Sequence, residues 1–349
     1  MCSVLKEDFK RIISDYDFSV LKEKSIFVTG STGLLGSQLV KFFCYLNDVC
    51  DYNIKIYALA RNIEKVIKVY GRLHQSEYIH FLYGDVLKLP KIDFDIDYII
   101  HGASITSSQD FIVYAVETID TAVNGTLNLL RLAKERNVKS FVYLSSIEAF
   151  GIVTSNNIIR EDDLGYIDVS SPRSSYMESK RMCENICACF ASEYGVPVKS
   201  IRLTQVIGVG IDYYDTRVAA YFARSVVEGT DIVLKTEGKT KRPVLYSSDA
   251  ITAILTVLLK GMAGNVYTAA NPKTFVTIRE TAEMIVNKIA NNSIKVILDL
   301  KEVPAEYAPN LNLNLNLNVD KLCSLGWHPS VDLQTSYKRL IKSMECTIK

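Results

Sequence analysis

From residue 25 onward, short apolar runs alternate with long amphipathic segments. The runs SIFVTG (25–30), IKIYALA (54–60), IHFLYGD (79–85), DYIIHGAS (97–104), SFVYLSS (140–146) and VKSIRLT (198–204) read as strands. Residues 35–46, 122–136 and 176–194, lying between several of them, read as helices. Continuous apolar strands alternating with helices predict an α/β fold built on a parallel sheet buried on both faces. Residues 1–24 are polar and amphipathic and read as a helical extension on the surface. After about residue 204 the rhythm loosens into helices, short strands and loops. One stretch there, NLNLNLNLNVD (310–320), alternates Leu and Asn strictly. That period of two fits a strand with one buried face, and a polar loop is the alternative.

Bulk properties narrow the classes of function. With 349 residues, 48% of them apolar, the chain can bury a large core. Forty basic against 39 acidic residues leave a net charge of +1, which gives no reason to expect nucleic acid or a membrane surface as partner. No apolar run approaches a membrane span. The first twenty residues are too charged for the apolar core of a signal peptide, so a cytoplasmic protein is expected. None of the eight cysteines forms a Cys-x-x-Cys pair. Cys183, Cys187 and Cys189 share one predicted helix with no histidine near in sequence, so they read as packing thiols and no metal site is expected.

Two local patterns carry chemistry. FVTGSTGLLGSQLV places Gly30, Gly33 and Gly36 between the first strand and the first helix. Such a turn lets backbone amides at the helix mouth, including those of Leu34 and Leu35, approach a pyrophosphate. Downstream, PRSSYMESKRMCE (172–184) sets Tyr176 and Lys180 four residues apart, on one face of a helix.

Together these motifs resemble the extended short-chain dehydrogenase/reductase family, the nucleotide-sugar epimerases and dehydratases. The resemblance covers nearly all of the chain after residue 24. It extends to YGDV (Asp85, Val86), HGAS (Ala103, Ser104), LSSIEAFG (144–151), RPVLYSSD (242–249) and LGWHP (325–329). The block at 172–184 and the DTRV segment (215–218) are most similar to UDP-glucuronate decarboxylases and neighbouring sugar-nucleotide lyases.

The resemblance implies a Rossmann-type doubly wound sheet over 25–203 and a smaller, partly interleaved α/β nucleotide-sugar domain over 204–349. It implies a dinucleotide held by Gly30, Gly33, Leu34, Leu35, Gly36, Arg61, Asp85, Val86, Ala103 and Ser104, together with Tyr176 and Lys180. It makes Ser146, Glu148, Tyr176 and Lys180 catalytic, and gives Thr106, Gln205, Arg217 and Arg242 to the substrate. In this scheme the Tyr176 phenolate takes a hydroxyl proton while hydride leaves the sugar. A free tyrosine titrates near 10, about three units too high, and Lys180 is expected to bring it down. Glu148 favours dehydration or decarboxylation, because a carboxylate beside a ketosugar can take an α-proton. Ile147, just before it, departs from the patterns of both the dTDP-glucose-type dehydratases and the decarboxylases. A nucleotide-sugar 4-epimerase, a 4-ketosugar reductase and a non-catalytic dinucleotide sensor are the alternatives. Glu148 also reads as a surface or ion-paired acid, and Arg217 and Arg242 as surface arginines. Arg61 at the end of the second strand favours NADP over NAD, since arginine there accepts a 2′-phosphate. The helix carrying Tyr176 often forms a homodimer interface in this family, and Met182, Ile186 and Phe190 suit that role or core packing equally.

Overall fold

The computed structural model describes residues 1–107, 110–153, 158–300 and 314–348. Seven strands form one parallel sheet: β1 (Ser25–Thr29), β2 (Lys55–Ala60), β3 (Ile79–Tyr83), β4 (Tyr98–His101), β5 (Ser140–Ser146), β6 (Val198–Leu203) and β11 (Val266–Ala269). Their order is β3-β2-β1-β4-β5-β6-β11, so the chain reverses its direction of winding between β1 and β4. This is the Rossmann-type arrangement, and the crevice outside the strand ends at that reversal is where such sheets bind ligands. The six expected runs all fall on strands of this sheet.

Alternation along β1 shows how both faces are covered. Ile26 and Val28 join a core with Phe9, Leu39, Phe42, Val66 and Ile251. These come from α1 (Ser3–Asp15), α2 (Leu34–Cys50), α3 (Ile63–Tyr70) and α8 (Ser247–Lys260). Phe27 turns the other way and packs with Leu129, Leu130, Cys183 and Cys187. Those residues belong to α5 (Ala115–Glu135) and α6 (Ser174–Tyr194), and the short α4 (Asp110–Val113) leads into α5. Cys183 and Cys187 are packing thiols, whereas Cys189 is exposed, and all eight cysteines are free.

The expected N-terminal helix is α1, and its apolar stripe of Val4, Leu5, Phe9 and Ile12 is buried. Asp8 is buried with it, accepting a hydrogen bond from the Tyr246 hydroxyl at 2.8 Å and pairing with Arg339 at 3.0 Å.

Past residue 203 the chain builds a second, smaller group of elements. It contains α7 (Val218–Glu228), α9 (Ile278–Lys288) and α11 (Leu333–Ile348). Three strand pairs join them: β7 (Gln205–Ile207) with β10 (Val244–Tyr246), β8 (Ile232–Leu234) with β13 (Val296–Leu298), and β9 (Lys241–Arg242) with β12 (Val276–Thr277). Between these, α8 and β11 return to the large sheet, and α10 (Asp320–Cys323) packs beside β11.

The Leu/Asn stretch departs from a regular strand. Residues 310–313 lie outside the described residues. Beyond them Leu315, Leu317 and Val319 are buried, so the period of two is kept in burial. The backbone makes only isolated bridges, Asn314 with Lys241 and Leu317 with Ile159. Its bonds go to two different partners in turn, which prevents a continuous ladder. Among the described residues no helix is long and apolar enough to cross a membrane.

Candidate active site

Gly30 follows β1 with φ +68°, and a Cβ there would sit 2.6 Å from the backbone carbonyl of Gly102, just past β4. A Cβ on Gly36 would sit 2.3 Å from the Gly30 oxygen. Only glycine at both positions lets the first turn of α2 lie directly on the loop. Gly33 is the residue before α2, and it caps the helix without a side chain. Among the described residues the amides of Leu34 and Leu35 have no protein acceptor. A 17-residue helix therefore presents free amides and its positive end at the sheet's reversal point, which suits a pyrophosphate.

Around this turn the remaining expected cofactor residues are arranged at the strand ends. Arg61 follows β2, is largely exposed and lies 3.8 Å from Asp85. Asp85 also accepts the Leu87 amide at 2.9 Å. Val86 is buried against α5 at Gly125, where a Cβ would meet it at 2.7 Å. The Ala103 amide donates to Thr29 Oγ1, which is itself 2.7 Å from His101 Nδ1. Burial, with the charge of Lys180, pushes His101 down to about 3, so it stays neutral at ordinary pH. The Ser104 hydroxyl donates to the Ile105 carbonyl, and Thr106 is exposed.

At the end of β5, Ser146 accepts the Glu148 amide at 3.2 Å and starts a single 3-10 turn, Ile147–Phe150. That turn carries Glu148 toward α6. Tyr176 and Lys180 lie one helical turn apart on α6, both buried. The Tyr176 ring stacks on Phe111 at 4.2 Å between centroids, and Ser146 lies close enough to favour its ionised form. Lys180 Nζ donates to the Leu144 carbonyl at 2.8 Å and lies 5.5 Å from the centre of the Tyr176 ring.

The expected fall in the Tyr176 pKa is absent from the protein itself. Burial raises the phenol well above its usual value and the charge of Glu148 adds to this, against smaller opposing effects of Ser146, Arg173 and Arg217. Burial likewise brings Lys180 down to about 8, which weakens the ammonium expected to stabilise a phenolate. Desolvation outweighs charge proximity here.

Glu148 is ion-paired, its Oε2 accepting from Arg173 Nη2 at 2.8 Å. Arg173 is mostly buried and lies over the Phe111 ring at 4.9 Å. Sequence reasoning missed both Arg173 and Phe111. Arg173 stands in the quoted block 172–184, but nothing in its spacing pairs it with Glu148. Phe111 left no signal at all.

Gln205 opens β7 and Arg242 ends β9. Arg217 precedes α7, half exposed and paired with Asp215. Arg217 acts electrostatically on Tyr176, and Glu148 acts on Arg242, so the two sides face one cleft. Behind the cleft, Arg202 and Glu184 form a buried ion pair at 2.7 Å that joins β6 to α6. Ser145 on β5 donates to the same carboxylate at 2.5 Å. This network fixes α6, and with it Tyr176, against the strand bearing Ser146.

The profile of the NAD dependent epimerase/dehydratase family matches residues 26–270. A UDP-glucuronic acid decarboxylase 1 from Danio rerio is 27% identical over 323 residues, covering 91% of this chain and 72% of that one. A dTDP-D-glucose 4,6-dehydratase from Mus musculus is 26% identical over 340 residues, covering 91% and 88%. In fold, the chain is similar to a UDP-glucose 4-epimerase from Thermotoga maritima, with a TM-score of 0.77 at 20% identity and coverage of 93% and 100%.

Proposed function

The chain belongs to the NAD dependent epimerase/dehydratase family, and from that premise we propose that it modifies a nucleotide-activated sugar through a transient 4-keto intermediate, by dehydration or decarboxylation. The observation that carries this reading is the convergence of Ser146, Tyr176, Lys180 and Glu148 beside the glycine turn. A dinucleotide sensor has no need of those four groups, and the similar proteins named above that bear activities on nucleotide sugars support the same reading.

When bound, a nicotinamide dinucleotide supplies the acceptor and donor of hydride. Gly30, Gly33, Leu34, Leu35 and Gly36 hold its pyrophosphate, and Asp85, Val86, Ala103 and Ser104 flank the rest. Ser146 and Tyr176 bind the sugar hydroxyl, and Tyr176 moves its proton. Lys180, anchored on Leu144, holds the cofactor ribose and supports the phenolate. Gln205, Arg217, Arg242 and Thr106 face the substrate. Glu148 takes or returns a proton next to the ketone. Its contact with Arg173 weights the choice toward decarboxylation, because a β-keto acid loses carbon dioxide without a base whereas elimination of water needs one.

Three finer points belong to the same proposal. Arg61, exposed beside Asp85, favours NADP as the cofactor. Of the α6 residues expected at a dimer seam, Ile186 and Phe190 pack against the core, while exposed Met182, with Val116 and Ile119 on α5, supports a homodimer through those helices. The eight free cysteines support a cytoplasmic setting, where thiols stay reduced.

Glu148→Gln tests the proposal. Hydride transfer rests on Tyr176 and Lys180, so single-turnover absorbance at the reduced-nicotinamide band should persist. Elimination of water should stall, and decarboxylation should slow by a smaller factor. Unimpaired product formation with the true substrate would remove the lyase reading in favour of the 4-epimerase.

A further inference from the structure

The N-terminal helix α1 buries Val4, Leu5, Phe9 and Ile12, and one charged side chain with them, Asp8. Phe9 packs against Phe42 and Tyr45 of α2, at 5.2 and 5.7 Å between ring centroids, so α1 rests on the helix that starts at the glycine turn. Burying a carboxylate is costly, and an apolar residue at position 8 would seal the helix as well. What the carboxylate adds is direction.

Each oxygen of Asp8 is bound to a different element. Oδ2 accepts from the Tyr246 hydroxyl, at the end of β10, at 2.8 Å. Oδ1 pairs with Arg339 Nη2 of α11 at 3.0 Å. The same Nη2 donates to the Val4 carbonyl at 3.0 Å, which ties α11 to the backbone of α1 as well. Glu7 also reaches Arg339, at 3.3 Å, but it is half exposed and such pairs contribute little. Bonds to an ionised group are short and directional, so Asp8 sets where β10 and α11 sit relative to α1.

Those two elements wall the substrate side. Val244 of β10 and Leu333 and Tyr337 of α11 line one cavity with Gln205 and Arg242. β10 pairs in parallel with β7, which Gln205 opens. A continuous chain of contacts thus runs from the glycine turn through α2, Phe9 and Asp8 to the wall that bears Gln205 and Arg242. We propose that Asp8 is a positioning residue: it fixes the spacing between the dinucleotide turn and the substrate wall, with α1 as the strap across them. This rests on the nucleotide-sugar reading above only for the ligand that the wall meets.

The test compares Asp8→Asn with the wild type by calorimetric titration of UDP, dTDP and GDP and of both dinucleotides, beside amide hydrogen exchange. The variant should lose about fivefold in affinity for a diphosphate that the wild type binds, the scale of coupling through packed elements. Its dinucleotide affinity should be unchanged, and exchange should quicken in β7, β10 and α11 but not in α2. A merely stabilising residue would not give this split: Leu130→Ala, in the core on the other face of the sheet, should lower Tm and leave diphosphate affinity unchanged. Arg339→Lys, which keeps the charge, should retain more affinity than Arg339→Met. If Asp8→Asn does not fold, Tyr246→Phe, which cuts one of the two bonds, carries the same test. Unchanged affinity and exchange in the folded variant, or an equal affinity loss in Leu130→Ala, would overturn the proposal. A wild type that binds none of the three diphosphates would overturn the nucleotide-sugar reading, and the exchange pattern alone would then decide for or against Asp8.

Discussion

The two sides of the cleft are built differently. On the side proposed for the dinucleotide the main chain would be the binding surface: the Gly30 turn, the uncapped start of α2 and the loop at Gly102 pack with no room for a Cβ between them. On the side proposed for the substrate the surface is made of side chains. Gln205, Arg217 and Arg242 come from two- and three-residue strands and from the start of a helix, at places far apart in sequence. A backbone site allows few sequences, whereas a side-chain site can be rebuilt by exchanging single residues.

The strongest way to break the comparison is at the turn. Gly30→Ala places a Cβ against the Gly102 carbonyl at a positive φ, so it should abolish dinucleotide binding and lower stability by about 1–3 kcal/mol. Gly33→Ala meets only the Gly30 oxygen, at 3.2 Å, and should weaken binding with a smaller loss of stability. Titration and chemical denaturation of both variants check this. Equal stability losses would mean that the turn is a packing device rather than a ligand surface.

Tyr176→Phe comes next and sits where the two sides meet. Turnover should fall by roughly 100-fold, with dinucleotide affinity and fold retained, because the ring still stacks on Phe111. Steady-state kinetics beside a cofactor titration measure this, and near-normal turnover would remove Tyr176 from the chemistry.

Arg61→Asp probes a side chain on the dinucleotide side. Replacing a cation with an anion beside Asp85 should weaken NADP by about tenfold or more and spare NAD. A wild type that prefers NAD, with the ratio unchanged in the variant, would discard Arg61 as selector.

The smallest effect concerns buried lysines in the scaffold common to both sides. Burial holds Lys180 and Lys199 at about 8, below the usual 10.5. Between those values the unfolded chain binds more protons than the folded one, so stability should rise with pH from about 8 to 10.5. Lys199 lies outside the cleft, donating to Ser140 at 2.7 Å, and Lys199→Met should flatten part of that rise. Denaturation midpoints across this range measure it, and an unaltered slope would contradict the assignment to Lys199.

The same contrast explains what could be read from the sequence. The strands of the large sheet are apolar runs bounded by turns, and the glycine turn is a backbone device that few other residues can form, so both were legible. Tyr176 and Lys180 were legible because one helix carries them at a spacing of four. Arg173 meets Glu148 across 25 residues, and Phe111 reaches the Tyr176 ring from the short α4. Such meetings depend on how α4 and α6 pack, which no local period encodes. The raised phenol of Tyr176 was hidden for a related reason: the sequence displays the neighbouring lysine but not the depth of burial that outweighs it. In the Leu/Asn stretch the alternation correctly foretold which side chains are buried from 314 onward. It could not foretell that the backbone bonds split between Lys241 and Ile159.

The most direct test of the central claim is mass spectrometry of the products formed from a panel of nucleotide sugars, including UDP-glucuronate and dTDP-glucose, with either dinucleotide supplied. The account predicts a product lighter by the mass of water or of carbon dioxide, and its partition between the two identifies the reaction. An isomer of unchanged mass, or a product heavier by two hydrogens, would contradict it and give the cleft to a 4-epimerase or a ketosugar reductase.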